Sequence, residues 1–323
     1  MNNYSLPLVT IITPVYNGQD YIKEVIDSIL FQDYPNIEYL VLDDGSVDRT
    51  PEILKRYSEN IKIIRHSNMG ESRTVNKGFK LANGEYIGVV NSDDPILPKS
   101  ISKIIYEFLS NREVQVVYPD YKIIDENDNL IKIKKTHNFD YSEMVARHQC
   151  TPGPCAFFKK SLVDRIGGRD PFFKYVSDFD FWLRGGLIGP FKRIPEVIAT
   201  YRIHSLSATE SKKGRKMAKE HIQLMDKYFS RKDIPKEILS LKKEAYSSAY
   251  YTAAFYCGKD EKISRYYYFE ALKKGPLLYL TKYRPDRLPI IIRALIGGLP
   301  FGIRQVSSFI FEKSYKLWLK LKN

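Results

Sequence analysis

Two pairs of aspartates are the most direct indication of chemistry in this chain. Asp43 and Asp44 follow one apolar, β-rich run, and Asp93 and Asp94 lie close behind another. If both runs are strands of one parallel sheet, their carboxyl ends meet at one edge, where open α/β sheets bind ligands. A single pair is also typical of a turn or a helix cap. Two pairs at one edge favour a binding site over two unrelated turns.

Carboxylates gathered in this way repel one another, by about 1 kcal/mol for two charges 4 Å apart in bulk water and by more in a cleft. A bound cation would relieve the repulsion. Because the ligands on offer are oxygens, the expected ion is Mg²⁺ or Mn²⁺, held by carboxylates together with substrate phosphates. The 5 histidines show no metal-type spacing, and 3 cysteines are too few for a disulfide framework or a four-ligand zinc site. Such cysteine usage favours a reducing cytoplasm.

The turn after the first predicted strand argues against two common nucleotide sites. It consists of Pro14, Val15, Tyr16, Asn17 and Gly18, and it contains neither the G-x-G-x-x-G pattern nor a P-loop. A bound diphosphate is therefore expected to be held by a metal ion and side chains rather than by a glycine-rich loop.

Short β-rich runs alternate with helical patterns through the first third of the chain, and they would position these acids. The alternation predicts an α/β fold in which a doubly wound, mostly parallel sheet is flanked by helices. Strands are expected at 8–13, 38–43, 61–65, 85–91 and 114–118, and helices at 20–31, 51–59, 72–82 and 98–109. A hairpin at 126–129, a loop at 151–154, a strand at 156–158, a helix at 178–187 and a β-like run at 197–204 follow.

Charge divides the chain near residue 206. Residues 1–206 hold 26 lysines and arginines against 27 aspartates and glutamates, whereas residues 207–323 hold 25 against 11. We therefore predict a catalytic domain at 1–206 and a basic, mostly helical domain at 207–323, joined by a polar linker at 205–214. The nearly neutral part, residues 1–206, is therefore expected to carry the chemistry, and the basic part, residues 207–323, to contact an anionic partner.

The C-terminal part is predicted to be helical. A helical hairpin is expected to turn near Gly258, and the last helix, 304–321, combines a broad apolar face with a basic edge. Such a helix suits an anionic membrane surface, and packing on its own domain is the alternative. No apolar stretch is long enough to span a bilayer and no signal peptide is recognised, so a cytoplasmic protein, at most peripheral to the membrane, is expected. Nucleic acid is not expected as a partner, because no recognised binding motif is present.

Three segments, in order, resemble glycosyltransferase family 2, whose members have the GT-A fold. They are residues 9–17, residues 43–50, and residues 84–94, where a β-rich run leads into Asn91-Ser92-Asp93-Asp94. The resemblance covers roughly residues 6–206. It implies an inverting enzyme that transfers a sugar from a nucleoside diphosphate, with a UDP-sugar as the expected donor, to an acceptor hydroxyl in cell-surface polysaccharide or glycolipid biosynthesis.

Carried onto this sequence, the resemblance implies a nucleotide-sugar pocket and a metal site. Asp43 is expected to hydrogen-bond the base and Asn91 the ribose. Asp93 takes the metal-ligand position of the family's D-x-D element, and His204 is expected to contact the metal or the diphosphate, with a structural role as the alternative. Arg202 would offset diphosphate charge or be an ordinary surface residue. The other residues expected at the nucleotide sugar are Pro14, Tyr16, Asn17, Asn68, Asn76 and Ser92.

The segment at 177–184 resembles the family's Glu-Asp motif, which precedes a Trp and an Arg on a helix. It places the base that deprotonates the acceptor at Asp178. Ser177 replaces the usual Glu, which leaves Asp180 as a second candidate. Because two residues turn a helix by about 200°, one geometry cannot serve both. If Asp178 has no catalytic role, it is expected to be a helix N-cap.

The acceptor is expected to be a glycan or a lipid-linked sugar. The resemblance assigns residues 149–154 to the acceptor pocket, and Gly167 and Gly168 match a family pair, whereas Arg169 stands where an aromatic residue is usual. Two other functions stay open at this point. A nucleotidyltransferase would combine a related sheet with acids and a divalent ion, but it would usually carry a glycine-rich basic loop after the first strand. A non-catalytic module would bind nucleotide sugars or anionic polymers.

Overall fold

The computed structural model of the chain describes residues 6–204, 214–258 and 261–275. The first part alternates strands and helices as the sequence predicts. Its elements are β1 (Val9–Val15), α1 (Ile22–Leu30), β2 (Ile37–Asp43), α2 (Thr50–Lys55), β3 (Lys62–Arg65), α3 (Glu71–Leu81), β4 (Tyr86–Val89), α4 (Ser100–Ser110) and β5 (Val116–Ile124).

The chain then adds strands and helices that complete the sheet. These are β6 (Leu130–Lys134), α5 (Tyr141–Ala146), β7 (Phe157–Lys159), α6 (Lys160–Ile166), α7 (Ser177–Gly186) and β8 (Phe191–Arg202). The hairpin predicted at 126–129 is confirmed as the β5–β6 turn. The sequence did not predict α5 and α6, and β8 begins earlier than the expected run at 197–204.

One sheet of eight strands is formed by the described residues. Its order is β3-β2-β1-β4-β7-β5-β6, with β8 paired in parallel to β5. The first four strands are parallel to one another, whereas β7 and β6 run antiparallel to their neighbours. The predicted α/β architecture with a mostly parallel sheet flanked by helices is confirmed. Strand order reverses at β1, so the loops after β1 and β4 border the crevice where such sheets bind ligands.

Buried side chains on both faces hold the sheet between the helices. All seven residues of β1 are buried, as expected for a central strand covered on both faces. In α1 the buried residues are Ile22, Val25, Ile26 and Ile29, which lie on one face at helical spacing. Burying one such side chain contributes about 1.5–3 kcal/mol. The loops that follow β1, β2 and β4 therefore start from a rigid base.

The described residues from 214 onward, together with residues 145–149, form a second compact unit, and the other described residues form the first. The elements of the second unit after residue 214 are α8 (Gly214–Phe229), α9 (Lys236–Leu239), α10 (Lys242–Tyr256) and α11 (Glu261–Lys274). Helices α10 and α11 form the predicted helical hairpin, and small buried residues such as Ala249 and Ala253 let the helices pack closely. The domain border at 206 and the helix at 304–321 lie outside the described residues.

Among the helices that the structure describes, none combines the length and the apolar character that crossing a bilayer requires.

Candidate active site

The loops after β1 and β2 are joined by hydrogen bonds at the carboxyl edge of the sheet. The N–H of Asn17 donates to Ser46 Oγ at 2.9 Å, and its side-chain Oδ1 accepts from the N–H of Val47 at 2.9 Å. The N–H of Gly18 donates to Thr50 Oγ1 at 2.9 Å. Asn17 adopts a left-handed conformation with φ of 53°, which Asn tolerates better than most residues. Asn17 therefore holds the loops after β1 and β2 together through its own bonds.

Asp43 ends β2, and one of its carboxylate oxygens accepts no hydrogen bond from the described residues. Its side chain is buried, and Oδ1 accepts from the N–H of Ser46 at 2.8 Å. Oδ2 lies 3.3 Å from Arg65 Nε but accepts no hydrogen bond from the described residues. A buried carboxylate oxygen without a donor is costly, so the site is prepared for a ligand N–H. Arg65 also donates to the carbonyl of Ser46 at 2.9 Å, which fixes its direction.

The neighbouring Asp44 has a structural task. Its two carboxylate oxygens accept from the N–H groups of Met69 at 2.7 Å and Gly70 at 2.9 Å. This bond pair brings Asn68 against Gly45, where an added Cβ would lie 2.8 Å from the Asn68 nitrogen. Asn68 therefore lies beside the Asp43 turn. Pro14 is buried at the end of β1, and the ring of Tyr16 is half exposed beside the same turn.

The loop after β4 carries the second pair of acids. Asp93 Oδ2 lies 3.0 Å from His204 Nε2, and both side chains are partly exposed. Asp94 is buried, and it accepts from Asn91 Nδ2 at 2.9 Å and from the N–H of Arg202 at 2.8 Å. Burial and then the charge of Asp93 raise the pKa of Asp94 to about 8. Asp94 holds the loop in shape, and Asp93 faces outward.

Asp93 and His204 fit the expected divalent ion as a partial ligand set. Within the described residues no group of three or more His, Cys, Asp or Glu side chains could hold a metal. One carboxylate and one imidazole are a set that Mn²⁺ or Mg²⁺ uses when substrate phosphates and water complete its coordination. Ser92, the residue before Asp93, lies against the loop after β1, because its Oγ is 3.6 Å from the position of a Cβ on Gly18.

Arg202 differs from one of its two sequence-based expectations. The alternative of a surface residue is wrong, since only 1% of its side chain is exposed. Its guanidinium forms ion pairs at 2.6 Å with Glu24 and with Asp128, and Nε donates to the carbonyl of Asp93 at 3.0 Å. Sequence reasoning did not find Glu24 and Asp128, which lie 178 and 74 residues away along the chain.

Asp178 lies in the first turn of α7. The helix begins at Ser177 after the cap residue Val176, so the expectation of an N-cap at Asp178 is wrong. Burial raises the pKa of Asp178, the charge of Arg169 lowers it, and Glu71 raises it. A carboxylate whose pKa is raised in this way is a stronger base than an exposed one.

Asp180 is committed to a different task. Its Oδ2 accepts from Arg184 Nε at 2.9 Å and Nη2 at 2.6 Å, and both side chains are largely buried. Arg184 also donates to the carbonyls of Ile166 at 2.6 Å and Gly168 at 2.8 Å. The pair therefore fixes the chain at 166–168 to α7.

Asn76 lies in α3, and its side-chain amide binds the main chain of Arg169, just after this segment. Its Nδ2 donates to the carbonyl of Arg169 at 2.7 Å, and its Oδ1 accepts from the Arg169 N–H at 2.7 Å. A Cβ on Gly168 would lie 2.1 Å from Asn76 Oδ1, so only glycine allows this approach. The Arg169 guanidinium pairs with Glu71 at 2.6 Å. Arg169, the departure from the family pattern, is thus held beside Asp178.

Contacts link the loops after β1, β2 and β4. The Asn17 loop meets the Asp43 turn and lies against Ser92, while α3 connects the Asp44 turn to Arg169. On the acceptor side, burial and then the charge of Asp178 raise the pKa of the Cys150 thiol, so this end of the predicted acceptor loop lies near Asp178.

Known proteins resemble this chain in sequence and in fold. The profile of Glycosyl transferase family 2 matches residues 10–167. An uncharacterized glycosyltransferase of Rickettsia typhi is 34% identical over 218 residues, which cover 65% of this chain and 68% of the relative. A chondroitin synthase of Escherichia coli is 28% identical over 238 residues, 72% of this chain and 34% of that protein.

Solved structures with low sequence identity share the architecture. The crystal structure of S. aureus TarS 1–349 superimposes with a TM-score of 0.64 at 17% identity, covering 96% of this chain and 91% of that one. A mannosyltransferase of Pyrobaculum calidifontis, solved in complex with GDP-Man and Mn²⁺, gives 0.60 at 18% identity over 95% and 88% of the two chains. With its sheet of the GT-A type and its sequence match, this chain belongs to glycosyl transferase family 2.

Proposed function

We propose that the protein transfers a sugar from a UDP-sugar to an acceptor hydroxyl with inversion at the anomeric carbon. The observation that carries the proposal is the buried Oδ2 of Asp43 at the carboxyl edge of the sheet, which accepts no hydrogen bond from the described residues. The loop after β1, which is bonded to the Asp43 turn, also lies against Ser92, next to the Asp93–His204 pair.

The donor base is held by Asp43 and Arg65. The uracil ring presents an N–H between two carbonyls, so the N–H donates to Asp43 Oδ2 and Arg65 donates to one carbonyl. Arg65 Nε lies 3.3 Å from Asp43 Oδ2, so both groups can contact one edge of such a ring. Structures of TarS, a fold relative, have been solved with UDP and with UDP-GlcNAc, which supports this choice of nucleotide.

The diphosphate lies next to Asp93 and His204. These two residues would hold Mn²⁺ or Mg²⁺, which when bound neutralises charge on the leaving diphosphate. The mannosyltransferase of P. calidifontis was solved with Mn²⁺ and a nucleotide sugar, and this supports the assignment.

Asp178 is the general base of the transfer. It accepts the proton of the acceptor hydroxyl while the acceptor oxygen bonds to the anomeric carbon and the bond from that carbon to the diphosphate oxygen breaks, with the bonding pair leaving on the UDP. Asp180 is excluded from this step by its bonds to Arg184. A single displacement of this kind inverts the configuration, which the anomeric form of the product reports.

The acceptor is a glycan or a lipid-linked sugar at the cytoplasmic face of a membrane. The similarity to a chondroitin synthase supports a carbohydrate acceptor. The basic region 207–323 supports contact with an anionic surface.

A thermal-shift panel tests the donor assignment, because a ligand that binds only the folded state raises its melting temperature. The panel contains UDP, GDP, CDP and dTDP sugars, with and without Mn²⁺. UDP-sugars should give the largest shift, and Asp43→Asn should abolish it. Glu59→Gln, which removes an exposed carboxylate at the other end of β3, is the matched control. If no nucleotide sugar stabilises the wild-type chain, the proposal is wrong.

A further inference from the structure

Arg202 is the buried centre of a cluster whose contacts the proposed reaction does not use. Burying a guanidinium is costly unless it is both paired and hydrogen-bonded. Here Nη2 donates to Glu24 Oε2 at 2.6 Å, and Nη1 donates to Asp128 Oδ1 at 2.6 Å and to the carbonyl of Asp125 at 3.3 Å. Nε donates to the carbonyl of Asp93 at 3.0 Å. The planar group thus reaches α1, the β5–β6 turn and the loop after β4 together.

Arg202 also contacts the residues that surround Asp93. The main-chain N–H of Arg202 donates to Asp94 Oδ1 at 2.8 Å, so the next residue in the loop is held as well. The guanidinium carbon lies 4.6 Å from the ring centre of Tyr21, and that ring lies 5.0 Å from the ring of His204. His204 in turn meets the carboxylate of Asp93. Arg202 therefore holds the main chain of Asp93, one proposed metal ligand. It also packs on Tyr21, which contacts the ring of His204, the other proposed ligand.

We propose that Arg202 is a positioning residue, which sets the spacing of Asp93 and His204 for a divalent ion and does not itself contact the diphosphate. The inference rests on the proposed function. A side chain that is 1% exposed offers no surface to a ligand. The fork of an arginine donates in several fixed directions, whereas a lysine ammonium cannot reach three elements together.

Variants of Arg202 and of its neighbours distinguish a positioning role of the guanidinium from a direct effect of its charge on the diphosphate. Arg202→Lys keeps the charge and loses the fork, and Arg202→Met loses both. Asp128→Asn removes one anchor on the β5–β6 turn. Glu126→Gln, on the same turn, removes an equal charge from an exposed residue that does not bond Arg202, and is the matched control.

The readout is UDP affinity measured by calorimetry with and without Mn²⁺, next to kcat, KM and unfolding curves. In the wild-type chain Mn²⁺ should tighten UDP binding. Both Arg202 variants should lose about 10–100-fold of the Mn²⁺-dependent affinity, as is usual when the groups supporting metal ligands are removed, and keep the metal-free affinity. Asp128→Asn should lose a smaller factor, and Glu126→Gln should match the wild type.

Several results would overturn the inference. Rescue by Arg202→Lys, or an equal loss of UDP affinity with and without Mn²⁺, would show that the charge contacts the diphosphate directly. If the Arg202 variants do not fold, equal behaviour of Asp128→Asn and Glu126→Gln decides against the inference. A wild-type chain that binds no nucleotide, or binds UDP equally without the ion, overturns the proposed function as well, whereas wild-type binding with unaffected variants overturns this inference alone.

Discussion

Two aspartates in α7 illustrate how neighbours decide the task of a residue. Asp180 is buried and accepts two hydrogen bonds from Arg184, whereas Asp178 is partly exposed, and the charges that shift its pKa, Arg169 and Glu71, lie on other elements. The sequence left the choice open because both residues lie in one helical turn. The structure shows that Arg184, one turn further along the helix, pairs with Asp180 at 2.6 Å.

Asp178→Asn should reduce kcat by about 10²–10⁴, the usual contribution of a general base, and leave UDP affinity unchanged. Asp180→Asn should instead lower the free energy of unfolding by about 1–3 kcal/mol, because Arg184 loses a buried partner. Single-turnover rates and urea unfolding curves of the two variants measure the difference. Normal turnover by Asp178→Asn would place the base elsewhere.

Substitution of Asn76 tests whether this residue has a structural role or binds the nucleotide. Asn76→Ala removes both hydrogen bonds to the Arg169 main chain and should destabilise the fold by about 1–3 kcal/mol, with UDP affinity retained. Denaturant unfolding and UDP titration test this. A loss of UDP affinity at unchanged stability would return Asn76 to the nucleotide pocket, as the family resemblance implies.

At the scale of elements, local patterns predict the elements that carry the site. The β1, β2 and β4 runs are apolar and bounded by turn residues, so the sequence alone is enough to expect Asp43 and Asp93 at one edge of the sheet. The remaining partners could not be predicted, because the bonds of Arg202 to Glu24 and of Asn76 to Arg169 join residues 178 and 93 positions apart. Strand β7 has only three residues, too few for a recognisable period.

Insertion of β7 beside β4 depends on one small residue. A Cβ on Gly88 would lie 2.5 Å from the Phe157 ring, so Gly88→Ala should cost about 1–3 kcal/mol of unfolding free energy through overpacking. The double variant with Phe157→Leu should recover part of that loss, since the smaller side chain yields space. Gly185→Ala in α7, where the nearest atom is 3.4 Å away, is the control and should be nearly neutral. Thermal unfolding compares them, and an unaffected Gly88→Ala would contradict this packing.

At the scale of the whole molecule, charge is distributed unequally between the front and the rear of the chain. Lys313, Lys316 and Lys320 lie on one arc of the predicted last helix, outside the described residues. Replacing all three by Gln should weaken binding to phosphatidylglycerol vesicles by about 3 kcal/mol, or roughly a hundredfold, at about 1 kcal/mol for each lysine.

The matched control replaces three exposed lysines of the first unit, Lys55, Lys62 and Lys80, and removes an equal charge. Vesicle co-sedimentation at two salt concentrations provides the measurement. If both triple variants bind alike, net charge rather than the last helix accounts for the attraction.

The second unit should respond to acid through two buried histidines. His148 Nε2 and His221 Nδ1 share a hydrogen bond of 2.8 Å, and burial lowers the pKa of His221 to about 4 and that of His148 well below its usual range. Because the folded state binds these protons less readily than the unfolded state, the stability is complete above the ordinary histidine pKa of about 6.5 and falls below it. At pH 5.5 the loss should be about 1 kcal/mol for each histidine. Urea unfolding at pH 7.5 and 5.5 measures it, and His221→Phe should reduce the pH dependence, whereas an unchanged dependence in this variant would assign the acid response to other groups.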